Sequence, residues 1–280
     1  MKLIADSGST KTTWILLEQN KVKETIGTSG LNPYFHDSES VEAVLRADLI
    51  PFVVEDNIRE VHFYGAGCST DYNNSMIRDA ILRFFRKADV FIYHDILGAA
   101  RALFGNDKGI ACILGTGCNS CFFDGAELHS KVDSLGYLFG DEGAGSYLGK
   151  LFMGAYLKKE LPQELRDLFD NQFGYTLEDI LNSLYNKPSP NKFLASFSLF
   201  LSPNREHPFV KALIQQSFQD FFNAHVKKYE DYRALSIGFI GSIAFIYREI
   251  LSEVALKEGV TISKIHSSPI EGLIEYHVIN

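Results

Sequence analysis

Short apolar runs recur along the chain, each closed by small or polar residues. The first three, Lys2–Asp6, Thr13–Glu18 and Val22–Gly27, are too short for helices and predict strands. The loop over residues 28–38 offers Asp37 or Ser38 as the cap of a helix predicted to run to about Val54. Residues 60–67 read as a buried strand ending in glycines. Met76, Ile77, Ala80, Ile81 and Phe84 share one helical face and predict a helix from about Tyr72 to Arg86. A strand then ends at Asp95, and residues 96–104 continue as a helix. Strands alternating with helices imply an α/β fold with a largely parallel sheet.

The opening plan then returns. Residues 109–125 again place an apolar strand, a turn of small polar residues and a second apolar strand, without extended identity to the first copy. Helices are predicted at 143–159, 162–171, 176–186, 191–201 and 207–229, and from Phe245 to Lys257. A strand ends in the glycine turns of 234–244, and a last strand and helix close the chain. Two halves follow, 1–106 and 107–280, the second carrying a helical insertion.

Charge and cysteine usage narrow the classes. The net charge of −8 has no basic block behind it, which argues against nucleic acid or an anionic membrane as partner. No apolar run approaches the ~18 residues of a membrane span. Asp6 interrupts the apolar run that a signal peptide would need. Cys112, Cys118 and Cys121 crowd onto apparent strands, with Cys68 apart, a poor disulfide framework. A soluble, cytoplasmic protein is expected.

Candidate chemistry gathers at the turns. One bend carries Ser7, Gly8, Ser9, Thr10, Lys11, Thr12 and Thr13; the other carries Gly115, Thr116, Gly117, Cys118 and Asn119. Backbone N–H groups converging in such a bend can attract an anion, and glycine lets phosphate approach the main chain. Either bend alone could equally be a long hairpin turn. The recurrence of the pattern favours a phosphate clamp. Asp6 and Asp95 each stand where an apolar strand ends, the edge at which α/β proteins place ligands. They could hold magnesium or take a proton from a hydroxyl, and Asp95 could also cap the following helix.

Residues 136–150 set five glycines around Asp141 and Glu142 before a helix. Acids at a helix start suit its dipole. The glycines also suit a backbone bent close to an uncharged polyol. Gly238 and Gly241 could lie against a flat base or simply start a helix. Asn32 could bond a substrate hydroxyl or its own turn. The CxxC spacing of Cys118 and Cys121 stands alone, so structural cysteines are the reading preferred. His94 beside Asp95 is a lone histidine.

In order, "DSGSTKT", "YHDILGAARA", "ILGTGCNS", "GDEGAGS" and "GFIGSIA" resemble the actin-like ATPase superfamily of sugar kinases, actin and heat-shock chaperones. Within it the chain is similar to the N-acetylglucosamine kinase group and the related activators of benzoyl-CoA reductase and hydroxyacyl-CoA dehydratases. The resemblance implies two ribonuclease-H-like domains with a nucleotide cleft between them, ATP and Mg2+ as cofactors, and a sugar as substrate. It makes Asp6, Gly8, Ser9, Thr10, Lys11 and Thr12 the first phosphate loop, with Asp6 near the metal. Gly115, Thr116, Gly117 and Asn119 would be the second, and Gly241 with Ser242 the adenosine motif. Asp95 would be the base. Asn32, Gly136, Asp141 and Glu142 would contact the sugar, and a homodimer is implied by analogy. The first turn is nearer the actin style than the glycine triplet of animal N-acetylglucosamine kinases, and Leu135 replaces an aromatic sugar-stacking residue. The expected activity is ATP-dependent phosphorylation of an amino sugar. The alternative is an activator ATPase, which would bridge an iron–sulfur cluster across a dimer. Here Cys118 and Cys121 would have to ligate from inside the second bend. A sugar sensor without catalysis is a third option, against which Asp95 argues.

Overall fold

Leu3, Ile4 and Ala5 offer no polar position to turn toward water, which suits a strand covered on both faces. In the computed structural model, which describes residues 1–129 and 132–279, this strand is the centre of a five-stranded sheet. Lys2–Ser7 (β1) pairs antiparallel with Lys11–Glu18 (β2), and β2 with Lys21–Ser29 (β3). On the other side β1 runs parallel to Glu60–Gly65 (β4), and β4 to Asp89–His94 (β5). Leu3, Ala5, Trp14 and Phe63 pack with Val41 of Ser38–Val44 (α1) and Ile77, Ala80 and Ile81 of Asp71–Leu82 (α2). Ile4, Ile15, Leu17 and Tyr64 form a second core with Ala102 of Asp95–Phe104 (α3) and with Leu273.

The helix expected to reach Val54 does not. After α1 the chain forms a π turn at Leu45–Leu49 and a 3-10 turn at Ile50–Phe52. Pro51 has no N–H to continue an α-helical ladder. Asp37 is the cap, its Oδ1 accepting from the Ser40 N–H at 2.9 Å.

The second sheet repeats the first strand for strand. Gly109–Leu114 (β6) pairs antiparallel with Cys118–Phe123 (β7), and β7 with Leu128–His129 (β8). Parallel to β6 lies Ile237–Ile240 (β9), and beside it Ile262–His266 (β10). The orders are β3-β2-β1-β4-β5 and β8-β7-β6-β9-β10. Gly136–Phe139 (α4), Gly145–Leu157 (α5), Gln163–Phe173 (α6), Leu177–Tyr185 (α7), Pro190–Ser196 (α8), Ser198–Leu201 (α9), Pro208–Ala224 (α10), Ser242–Ile246 (α11) and Arg248–Lys257 (α12) complete this unit. Phe152, Phe169, Phe197, Phe200, Phe218 and Phe221 are buried in its core. Three expected helices are interrupted. The segment 191–201 divides at the fully buried Phe197, 207–229 ends at Ala224, and Tyr247 separates α11 from α12.

The chain divides into a unit of Met1–Asn106 plus the segment from Pro269 onward, and a unit of Asp107–Ser268. The partition into 1–106 and 107–280 therefore needs correcting at its far end. The last helix, Ile270–Ile279, lies on α3 because Gly272 has no Cβ, and one there would stand 2.3 Å from the Ala102 carbonyl oxygen. Polar contacts add to this. His277 Nε2 meets the Tyr64 hydroxyl at 2.9 Å, and Arg101 donates to that same hydroxyl at 2.8 Å. Among the described residues, no helix is long and apolar enough to cross a membrane, and none of the four cysteines forms a disulfide.

Candidate active site

In the first unit, only Gly8, Ser9 and Thr10 lie outside the paired strands; the other members of the expected bend belong to β1 or β2. Strand register decides their roles. Ser7 and Thr12 are opposite each other, buried, with their hydroxyls 2.7 Å apart. Thr12 also donates to the Ser29 carbonyl at 3.1 Å, and Ser7 Oγ accepts from the Leu31 N–H at 3.1 Å. Thr12, expected among the phosphate contacts, is thus an internal anchor of the bend. The bend closes through Gly8 N–H to the Lys11 carbonyl at 3.0 Å and Gly30 N–H to the Thr10 carbonyl at 3.1 Å. Thr10 and Lys11 stay exposed.

Asp6 and Asp95 share the C-terminal edge of this sheet, Asp6 near the end of β1 and Asp95 directly after β5. Burial, then the charge of Asp95, push the Asp6 carboxyl up to about 7, against a smaller pull from Lys11. A group with that proton affinity stands where positive charge is short. Asp95 is not the cap of α3. His94 takes that place, and its Nδ1 lies 2.6 Å from Asp95 Oδ1. The same nitrogen accepts from the Ile96 N–H at 3.3 Å, so the approach to Asp95 Oδ1 is a close electrostatic contact rather than a well-directed hydrogen bond. Burial alone would lower the His94 pKa, but the contact with Asp95 and its charge outweigh it and the pKa rises. As a lone histidine His94 carries little weight in the sequence; its position at a strand end beside an acid is the signal it offers there.

Asn32 is buried, donating from Nδ2 to Ser9 Oγ at 2.8 Å and accepting at Oδ1 from the Tyr34 N–H at 3.0 Å. Its turn role is therefore real, with capacity for one more bond at each end.

In the second unit the bend is Gly115–Thr116–Gly117, closed by Gly115 N–H to the Gly117 carbonyl at 3.0 Å. The first turn of α5 grips it from behind. Gly145 N–H donates to the Gly115 carbonyl at 2.9 Å, and Ser146 N–H to the Thr116 carbonyl at 3.0 Å. Asp141, in the left-handed region at φ 64°, completes the clamp. Its Oδ1 accepts from the Cys118 N–H at 3.0 Å and its Oδ2 from the Ser146 hydroxyl at 3.1 Å. Burial raises its pKa, and these two bonds oppose the rise. Asp141, expected at the sugar, is thus first a brace for the second bend, with lone pairs left over. Asn119 likewise accepts at Oδ1 from the Ser120 N–H at 2.9 Å. Gly136 is left-handed at φ 67° and borders open space. Leu135 beside it is exposed, and Glu142 is half-buried, facing His225.

Gly241 sits at φ 123°, where a Cβ would stand 2.3 Å from the Leu114 carbonyl oxygen, under the end of β6. Ser242, after it, is exposed. Gly241→Ala is expected to destabilise the protein by about 2 kcal/mol or more, from both the backbone conformation and the collision. Gly154→Ala, on α5 with open space around it, should instead be neutral or stabilising. Urea unfolding of the two variants measures the difference.

No protein-family model and no curated protein matches the chain. Solved structures do. A Porphyromonas gingivalis protein, provisionally named an N-acetylglucosamine kinase, is 45% identical with a TM-score of 0.96, over 100% of this chain and 99% of that one. This chain belongs to the actin-like ATPase superfamily, in its N-acetylglucosamine kinase-like group. A Chromobacterium violaceum protein of the same provisional name has a TM-score of 0.67 at 17% identity, covering 98% of each chain. A glucokinase of the ROK family from Streptomyces griseus, solved with glucose and AMPPNP, has a TM-score of 0.58 at 12% identity, covering 98% of this chain and 97% of that one. These two show the shared fold. Each sheet of this actin-like ATPase chain is accordingly a ribonuclease-H-like sheet, and the recurrence of the strand order is the superfamily's duplicated plan.

Proposed function

We propose that this chain is an ATP-dependent kinase that transfers the γ-phosphate to a hydroxyl of an amino sugar such as N-acetylglucosamine, in the cytoplasm. The observation carrying this reading is a carboxylate, Asp95, with one oxygen 2.6 Å from His94 Nδ1, on the same sheet edge as Asp6 and the first small-residue bend. The full-length likeness to the Porphyromonas gingivalis protein supports the choice of sugar.

Phosphoryl transfer asks for alignment and charge stabilisation more than covalent help. With Oδ1 turned against His94, the second carboxylate oxygen of Asp95 would receive the proton of the attacking hydroxyl. The sugar oxygen bonds to the γ-phosphorus as the bond to the ADP oxygen breaks. Backbone N–H groups at Ser9 and Thr10, and at Thr116 and Gly117, would orient phosphate oxygens, Gly8 and Gly115 would let them approach bends that their own N–H groups close, and Lys11 would add positive charge. Gly241 and Ser242 would border the adenosine. Asn32, Gly136, Asp141 and Glu142 would meet the sugar, Asn32 and Asp141 with the capacity their internal bonds leave.

The residues fit Mg2+. Asp6 offers a hard oxygen donor, and its raised proton affinity marks an edge short of positive charge. Bound there, the ion would neutralise phosphate charge.

The test is ATP consumption over a panel of N-acetylglucosamine, glucosamine and glucose. The N-acetylated sugar should give the highest kcat/KM. ATP turnover that no sugar stimulates would overturn the reading.

A further inference from the structure

Cys118 and His225 have no part in the proposed transfer, yet the second unit brings them together with Glu142. The thiol sulfur, the imidazole Nε2 and a Glu142 carboxylate oxygen all lie within 4.8 Å of one another. Cys118 Sγ is 3.4 Å from His225 Nε2, and Nε2 is 3.7 Å from Glu142 Oε2. Ligand atoms bound at about 2.0–2.3 Å around a tetrahedral ion stand roughly 3.5 Å apart, which the two spacings at His225 Nε2 already match.

The imidazole is already oriented. Its Nδ1 meets Ser120 Oγ at 3.2 Å, that hydroxyl lies 2.9 Å from the Tyr229 hydroxyl, and the ring stacks on Phe221 with centroids 4.8 Å apart. An Nδ1–H given to Ser120 leaves the Nε2 lone pair facing Cys118 and Glu142, the usual way a metal-ligating histidine is held. Asp141 fixes the other ligand by accepting the Cys118 N–H. Cys118 and His225 are buried, while the Glu142 side chain is 22% exposed and gives the cluster its opening to solvent.

We propose that Cys118, Glu142 and His225 form a binding site for a zinc-class divalent cation, with water as the fourth ligand. Sulfur, nitrogen and carboxylate donors together suit zinc or cobalt(II) rather than magnesium or calcium. On binding, the metal–sulfur bond forms as the S–H bond breaks, and the proton leaves to solvent. The ion would tie the first residue of β7, the residue after Asp141 and the end of α10 to one point. Of the three ligands only Glu142 is also assigned to the sugar in the kinase reading; Cys118 and His225 are not.

The test uses the full chain, freed of metal with a chelator and titrated with cobalt(II) and with zinc. One ion per chain is expected, with a thiolate-to-cobalt charge-transfer band, intense visible bands of four-coordinate cobalt, and release of one proton. Cys118→Ser should remove the charge-transfer band, and His225→Gln should weaken zinc binding at least tenfold, with far-ultraviolet circular dichroism confirming the fold. Cys112→Ser and Cys121→Ser should keep the band. If the wild-type chain shows no charge-transfer band at stoichiometric cobalt, the three side chains are only a closed hydrogen-bonded cluster. A band that survives in folded Cys118→Ser overturns the ligand assignment as well.

Discussion

Asp95→Asn is expected to lower kcat by about 10²–10⁴-fold, the range a positioned general base supplies. The amide is nearly the same size as the carboxylate and can keep its place against His94, whose Nδ1 lies 2.6 Å from Asp95 Oδ1. It cannot take a proton. Nucleotide affinity should therefore change little, since the first bend is held by Ser7, Thr12 and Gly30 and not by Asp95. Steady-state kinetics together with calorimetric binding of a non-hydrolysable ATP analogue separate the two quantities. An Asn variant with wild-type kcat would remove Asp95 from the mechanism.

Asp6→Asn should act in opposite directions on stability and on turnover. The folded pKa of Asp6, about 7, lies above its ordinary 3.8. Between those values the folded chain holds a proton that the unfolded chain has released. The group therefore favours folding at low pH, and that advantage is lost as pH rises through about 7. Above that point a half-buried carboxylate is charged near Asp95, and the neutral amide removes the conflict. A three-unit shift corresponds to about 4 kcal/mol, and discounting for solvent leaves about 2 kcal/mol. The ligand-free variant should thus gain about 2 kcal/mol over wild type at pH 8, with almost no difference near pH 4. Turnover should fall, because the amide is a weaker donor for a magnesium ion. Added magnesium should raise the pH 8 stability of wild type more than that of the variant. Urea unfolding at the two pH values, with and without magnesium, reads all of this. A gap between wild type and variant that does not widen with pH would mean that Asp6 is an ordinary exposed carboxylate.

Local pattern made much of this legible. Unbroken apolar runs such as residues 3–5 and 110–114 marked strands buried on both faces, and small residues after them marked the bends. The return of that pattern in the second half anticipated two sheets of one strand order. Asp6 and Asp95 could be placed at strand ends by counting alone. Roles that depend on which face a side chain takes were not legible. Thr12 and Lys11 are neighbours in one polar stretch, yet pairing with Ser7 buries the first and leaves the second in solvent. Asp141 reads as a sugar contact or a helix-start acid until the left-handed turn at that residue aims it at Cys118 N–H and Ser146.

Linear order thus sufficed for the α/β class, the duplicated plan and the two acids at the strand ends, because each rests on hydrophobic period and turn chemistry within a dozen residues. Tertiary packing alone decided that the last helix joins the first unit and that His225 reaches Cys118 from 107 residues away. Contacts of that kind depend on register, helix crossing and the absence of a single Cβ at Gly272, none of which leaves a periodic trace in the chain.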